Sequence, residues 1–137
     1  MEVTIYIPPQ GKARARAGKW GHYTPLKTVQ AEEKIKEAFR EYMFDNGIEP
    51  FEKDIPLEAN IVAFYPIPKS YSKKKTEQAL KLEIYPTKKP DRDNIEKLVF
   101  DALNGVAYHD DSQICSGKFT KIYGTEPCLI VEIRSII

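Results

Sequence analysis

Residues 88–113 read KKPDRDNIEKLVFDALNGVAYHDDSQ, and their spacing decides how the rest of the chain is arranged. At about 100° per residue, Ile95, Leu98, Val99, Ala102 and Leu103 fall on one stripe, the i, i+3, i+4, i+7, i+8 pattern of a helix packed on a core. Asp93, Lys97 and Asn104 fall almost opposite, with Asp101 flanking them, and Phe100 lies off the stripe. Pro90 suits a helix start and Asn104-Gly105 a helix end. The expected helix therefore fastens a polar outer face to the interior. Two carboxylate pairs sit at its ends, Asp91 with Asp93 and Asp110 with Asp111.

Short Asp side chains gathered from a helix start and a nearby loop are what a hard cation such as Mg²⁺ requires, since it takes oxygen ligands at about 2.0–2.1 Å and keeps several waters. A metal so held polarises a phosphodiester oxygen and lowers the pKa of a bound water. Lys97, one turn from Asp93, could stabilise developing negative charge or orient that water. Each residue also has a local explanation. Asp is a preferred N-cap, and Asp93 with Glu96 resembles a capping box. Asp110-Asp111 suits a turn before a strand. Lys97 could pair with Asp93 at i, i+4 for about 0.3–0.5 kcal/mol. Capping accounts for one of Asp91 and Asp93, not both.

Outward from this stretch, Glu2–Pro8 alternates Val3, Ile5 and Ile7 against Thr4 and Tyr6, the period of a half-buried strand. Gln10–Thr24 reads as a long loop carrying three glycines, four basic residues, Trp20 and Tyr23. Its aromatics suit either stacking on bases or anchoring to the core. Thr28 is a candidate N-cap for a helix to Asp45, with Ala31, Ile35, Ala38, Phe39 and Met43 on one face and Asn46-Gly47 as its end. Ile55–Pro66 reads as a second strand through Leu57, Ala59, Ile61 and Ala63. Ser70 or Ser72 could start a short basic helix through Leu82, anchored by Ala79, Leu80 and Leu82. Strands are expected over 112–123 and 127–137, the latter alternating Leu129, Val131 and Ile133. The order β-α-β-α-α-β-β predicts an α+β fold: a single small domain over 1–137, with a mixed or antiparallel sheet and packed helices.

Hydrophobic residues make up 42% and charged residues 30% of 137, which fits one globular core. The net charge is only +1, but it is unevenly spread. Seven lysines oppose two glutamates from Lys69 to Lys89, and Lys12, Arg14, Arg16 and Lys19 oppose only Glu2 in the first twenty residues. Such patches attract phosphates without making the whole chain basic, although lysines also simply solvate loops. Lys12, Arg14, Arg16, Lys69, Lys73, Lys74, Lys75, Lys88 and Lys89 are the candidate DNA contacts. Cys115 and Cys128 form no CxxC or Cys/His set, so structural zinc is not expected. No leader pattern or apolar run of about 18 residues is present, and a reduced, cytoplasmic protein without membrane contact is expected.

The run KKPDRDNIEKLVFDALNGVAYHDDSQI resembles the signature of the RusA family of Holliday junction resolvases of bacteria and their phages. IPKSYSKKK, YPTKKP and GKFTKIYG are also similar to the family. The resemblance implies that Asp91, Asp93 and Asp111 are the catalytic, metal-binding aspartates, with Asp110 a neighbour in the turn, and that Lys97 is functionally important. It further implies a RusA-like homodimer that binds four-way DNA and makes paired symmetric nicks with Mg²⁺, Mn²⁺ being the alternative ion. On this reading Phe100 is expected in or near the dimer interface, or against another segment of its own chain. Two rivals remain. One is a non-catalytic module for branched or single-stranded DNA, in which the aspartates are caps. The other is a PD-(D/E)xK nuclease, which needs its second acid and lysine on a downstream strand, whereas Glu96 and Lys97 are adjacent and helical.

Overall fold

The computed structural model describes residues 1–137. Its centre is β4 (Leu57–Pro66), in which Leu57, Ala59, Ile61, Ala63 and Tyr65 are buried in alternation with more exposed neighbours. This is the behaviour of a strand with one face on a core. Along one edge β4 pairs antiparallel with β7 (Cys128–Ser135), which in turn pairs antiparallel with β1 (Glu2–Ile5). Along the other edge lie β5 (Ile114–Ser116) and β6 (Phe119–Gly124), both parallel to β4. A parallel neighbour requires a long crossover. Here it carries α2 (Lys73–Leu80) and α3 (Arg92–Leu103). The result is the expected α+β domain, a mixed five-stranded sheet with helices packed against it.

The apolar stripe of α3 is buried as its spacing predicted: Ile95, Leu98, Val99, Ala102 and Leu103 are all fully covered. They share one core with Ile35, Phe39 and Met43 of α1 (Leu26–Asn46) and with Leu129, Val131 and Ile133 of β7. Phe100 is half-buried against that same core, so a segment of its own chain covers part of the ring. No helix is long and apolar enough to cross a membrane. Both cysteines are free.

Four local expectations are corrected. The 10–24 stretch is not all loop, since β2 (Arg16–Gly18) and β3 (Gly21–Tyr23) form an antiparallel hairpin apart from the main sheet. The first helix starts at Leu26 behind Pro25, whose fixed φ suits a helix entry, and Thr28 is buried inside it instead of capping it. In α2, Ser72 does cap by accepting from Lys75 N at 3.1 Å. Only Ala79 is buried, because Leu80 is its immediate neighbour around the helix and Leu82 lies beyond the helix end. The strand expected over 112–123 is a 3₁₀ turn (Asp111–Gln113) followed by two strands broken at Gly117.

The break has a steric cause. Gly117 has φ +149°, and a Cβ there would sit 1.7 Å from the Ala59 carbonyl oxygen of β4. No side chain fits unless the two strands separate. Gly117→Ala is expected to cost about 2 kcal/mol or more, read as a lower denaturation midpoint with circular dichroism in urea. A midpoint equal to that of the unchanged protein would contradict the close approach.

Candidate active site

Burial of one stripe of α3 turns the other face outward, and that face carries the acids. Asp91 occupies the N-cap position with extended backbone, yet its side chain makes no capping hydrogen bond. Asp93 lies in the first turn, and the capping box expected with Glu96 does not form, because Glu96 pairs with Arg92 at 3.1 Å. The expected Asp93–Lys97 ion pair is also absent, and the ion pairs of the chain lie elsewhere. Both carboxylates are therefore exposed and uncommitted at the positive end of a helix dipole, where negative charge is favoured.

The helix start is held from the sheet side. The Tyr65 hydroxyl, at the end of β4, donates to the Pro90 carbonyl at 2.6 Å, next to Asp91. Burial, with the Asp91 charge adding to it, pushes the Tyr65 hydroxyl pKa up to about 12. The Lys121 ammonium lies over the Tyr65 ring and also donates to the Lys88 carbonyl, fixing the approach to Pro90.

From the solvent side an N-terminal arm is strapped across α3. Lys12 N donates to the Asn94 carbonyl at 3.0 Å, and Ala13 N donates to Thr28 Oγ1 at 3.2 Å. The Lys12 ammonium pairs with Asp101 at 2.9 Å and with Glu32 at 3.1 Å, stapling α3 to α1. Burial would lower the pKa of Lys12, but the hydrogen bonds to Asp101 and Glu32 outweigh it and raise it. Gly11 makes the crossing possible, since a Cβ there would meet Asn94 Cβ at 2.9 Å.

This strap separates two clefts. One, of about 700 Å³, has Asp93, Asn94, Lys97 and Asp101 on one wall and Lys12–Ala15 with Thr24 on the other. The second, of about 380 Å³, holds Asp91 with Lys27 and Lys89. Asp101, which the sequence places beside Asp93 and Lys97 without marking a role for it, is the residue that ties this face to Lys12. Its i+8 spacing from Asp93 and i+4 from Lys97 puts all three on one helix face.

Asp111 sits elsewhere. Its backbone N–H donates to Asn104 Oδ1 at 2.8 Å, beyond the C-terminal end of α3. Twelve helical residues at 1.5 Å each separate that end from Asp91, about 18 Å along the axis. Accordingly, no three His, Cys, Asp or Glu side chains of one chain come together to hold a metal. The loop that carries Asp111 is held by Gln113, whose Oε1 accepts from the His109 and Asp110 N–H groups and whose Nε2 donates to the carbonyls of Glu52 and Ile55. Asp110 is spent on capping, accepting from Ser112 N at 3.1 Å, a bond that lowers its pKa. Between the two ends, the buried Tyr108 donates to the Phe100 carbonyl at 2.7 Å. Burial, then the charges of Asp111, Asp101 and Asp110, push its hydroxyl pKa far up.

Of the basic residues, Lys12 is committed to its two ion pairs, whereas Arg14 and Arg16 are exposed on and beside the hairpin. Lys69, Lys73, Lys74 and Lys75 are exposed around the start of α2, with Lys75 over the Tyr71 ring at 4.2 Å. Lys88 and Lys89 are exposed just before Asp91.

The sequence matches the family model described as Endodeoxyribonuclease RusA over residues 6–134. It is also 46% identical over 83 residues to a Bacillus subtilis (strain 168) protein named Uncharacterized protein YqaN, a match covering 59% of this chain and 58% of that relative.

The bond from Tyr65 to Pro90 gives a pH-dependent expectation. A hydroxyl whose pKa rises from 10.0 to about 12 on folding stabilises the fold fully below pH 10 and loses that contribution as pH climbs through 12. Tyr65→Phe is expected to cost about 1 kcal/mol at neutral pH and to remove part of the fall in stability between those pH values. Urea melts across the alkaline range check this. An unchanged alkaline slope in the variant would refute it.

Proposed function

The chain belongs to the RusA family of endodeoxyribonucleases, and from that we propose that it is a Mg²⁺-dependent enzyme that resolves four-way DNA junctions by paired, symmetric nicks in DNA recombination and repair. The observation that carries this reading is that Asp91 and Asp93, two residues apart at the start of α3, carry no capping bond or ion pair, with Asp93 and Lys97 on the wall of one basic-rimmed cleft and Asp91 lining the cleft across the Lys12 strap. The donor chemistry fits a hard divalent ion: free carboxylate oxygens, the Asn94 amide nearby, and solvent access for its remaining waters. Such an ion, once bound, would supply charge neutralisation at the phosphodiester and a more acidic water.

The chain's own groups do the rest. Asp91 and Asp93 would hold the ion, and Lys97 would face negative charge developing on the phosphate. Arg14, Arg16, Lys88 and Lys89 grip flanking phosphates and carry no base information. Lys12 has a different task, keeping the arm and the helix in register. Mn²⁺ offers the same octahedral oxygen preference and is expected to substitute.

The far position of Asp111 argues for a homodimer. If Asp111 shares an ion with Asp91 and Asp93, the pair would be that of another copy, because Asp91 and Asp93 of its own chain lie about 18 and 15 Å along the α3 axis from the helix end that Asp111 adjoins. A two-fold dimer repeats one contact twice and so offers two equal sites, which is the symmetry that paired cuts on a four-way junction demand. Each site would then combine one chain's Asp91 and Asp93 with Asp111 of the partner subunit.

Two experiments test this reading. Wild-type protein incubated with a mobile four-way junction is expected to cut only with Mg²⁺ or Mn²⁺, at symmetry-related positions on opposed strands. Asp93→Asn is expected to keep junction binding and abolish cutting, and absence of cutting by the wild type would leave the DNA-binding module as the reading. Mixing Asp93→Asn with Asp111→Asn chains decides how the acids are shared. Across a dimer one of the two sites becomes whole and nicks a single strand, whereas sites contained in one chain leave the mixture inactive.

A further inference from the structure

Trp20 stands at the apex of the β2–β3 hairpin and is 92% exposed. Lys19 and Trp20 form the turn between Gly18 and Gly21, and the strands on either side are three residues each. Every residue from Arg14 to Thr24 is exposed, so the aromatics of this stretch do not anchor it to the core. Tyr23 packs back across Gly18 within the hairpin, and the contact of the Trp20 ring is with the Lys19 ammonium at 5.4 Å. The surrounding charge has one sign. From Val3 to Ala31 there are five basic residues (Lys12, Arg14, Arg16, Lys19 and Lys27) and no acidic one.

The hairpin is aimed by the site it rises from. Ala13–Ala15 and Thr24, the two feet of the hairpin, line the cleft that contains Asp93 and Lys97. The arm just before it is clamped to α3 and α1 by the Lys12 ion pairs and the Ala13–Thr28 bond. Three strand residues at about 3.4 Å carry the apex roughly 10 Å past that rim, which is about three times the 3.4 Å spacing of nucleotides along one strand.

We propose that Trp20 is a base-stacking finger that seats on an unstacked base face at the branch point of the DNA. Lys19, Arg14 and Arg16 neutralise the phosphates around it. The finger thereby sets the distance between the branch and the phosphate presented at Asp93 and Lys97. This inference rests on the junction-cleaving reading and adds the element that senses the branch. The interior of a continuous duplex offers phosphates but no free base face, whereas a branch offers both. Stacking on a base is tolerant of sequence because every base has a π-face. Discrimination for a branch therefore resides in Trp20, and general DNA affinity in the arginines and lysines.

Trp20 is the single tryptophan of the chain, so its emission reports the contact directly. The protein is titrated in EDTA, where it cannot cut, with a four-way junction and with a linear duplex of the same arm sequence, and binding is followed in parallel by gel shift. Junction binding is expected to quench most of the emission, and duplex binding to leave it nearly unchanged. Trp20→Ala is expected to weaken junction binding about tenfold with little effect on duplex binding, and Trp20→Phe to restore most of the loss. Trp20 has no buried contacts, so the variants keep the fold. A junction that binds with unchanged emission overturns the finger and leaves the nuclease reading standing. Equal quenching by duplex and junction overturns its selectivity for branches. Absence of junction binding removes the nuclease reading and the finger with it.

Discussion

Everything in the site depends on five side chains of α3 buried in the core that the helix shares with α1 and the sheet. Ile95, Leu98, Val99, Ala102 and Leu103 are fully covered, and each of the larger ones contributes about 1.5–3 kcal/mol by leaving water. The ion pairs around the helix are smaller by comparison, since an exposed pair such as Arg92–Glu96 is worth at most about 1 kcal/mol. Apolar burial therefore fixes the rotation of the helix, and Asp93, Lys97 and Asp101 face the cleft as a consequence. The polar contacts then refine what burial has set. Tyr65 secures the helix start from the sheet, and Lys12 secures its outer face through Asp101.

Much of this was legible because buried elements write their periodicity into the sequence. The α3 stripe, the alternation of β4 and that of β7 are each long enough for the period to show. The hairpin is not legible in that way. Its strands are three residues each and exposed on both faces, so no alternation between apolar and polar residues was imposed on them. Thr28 looked like a cap because its residue type suits one. Its partner is Ala13 N, fifteen residues earlier, and a contact of that range leaves no local mark. The division of β5 from β6 likewise depends on how near Ala59 comes to Gly117 in space.

The candidate site divides along the same line. The Asp91–Asp93 spacing and Lys97 one turn on are local and could be read directly. That neither acid would be used as a cap, and that Asp101 would be tied to Lys12, required the tertiary neighbours. The position of Asp111 was hidden for a simpler reason. A helix consumes chain at 1.5 Å per residue, so residues that look close in the motif lie at opposite ends of a rod.

The strand order has a temporal meaning as well. Every pairing of the main sheet, β1 with β7 and β4 with β5, β6 and β7, involves a residue from 114 onward. While the ribosome is still adding these residues, the first 113 hold two strands that have no partner, and α3 has no finished surface to lie on. Long-range pairing of this kind makes folding wait for the chain. Completion of the core beneath the acidic face of α3 therefore waits until residues 114–135 have emerged.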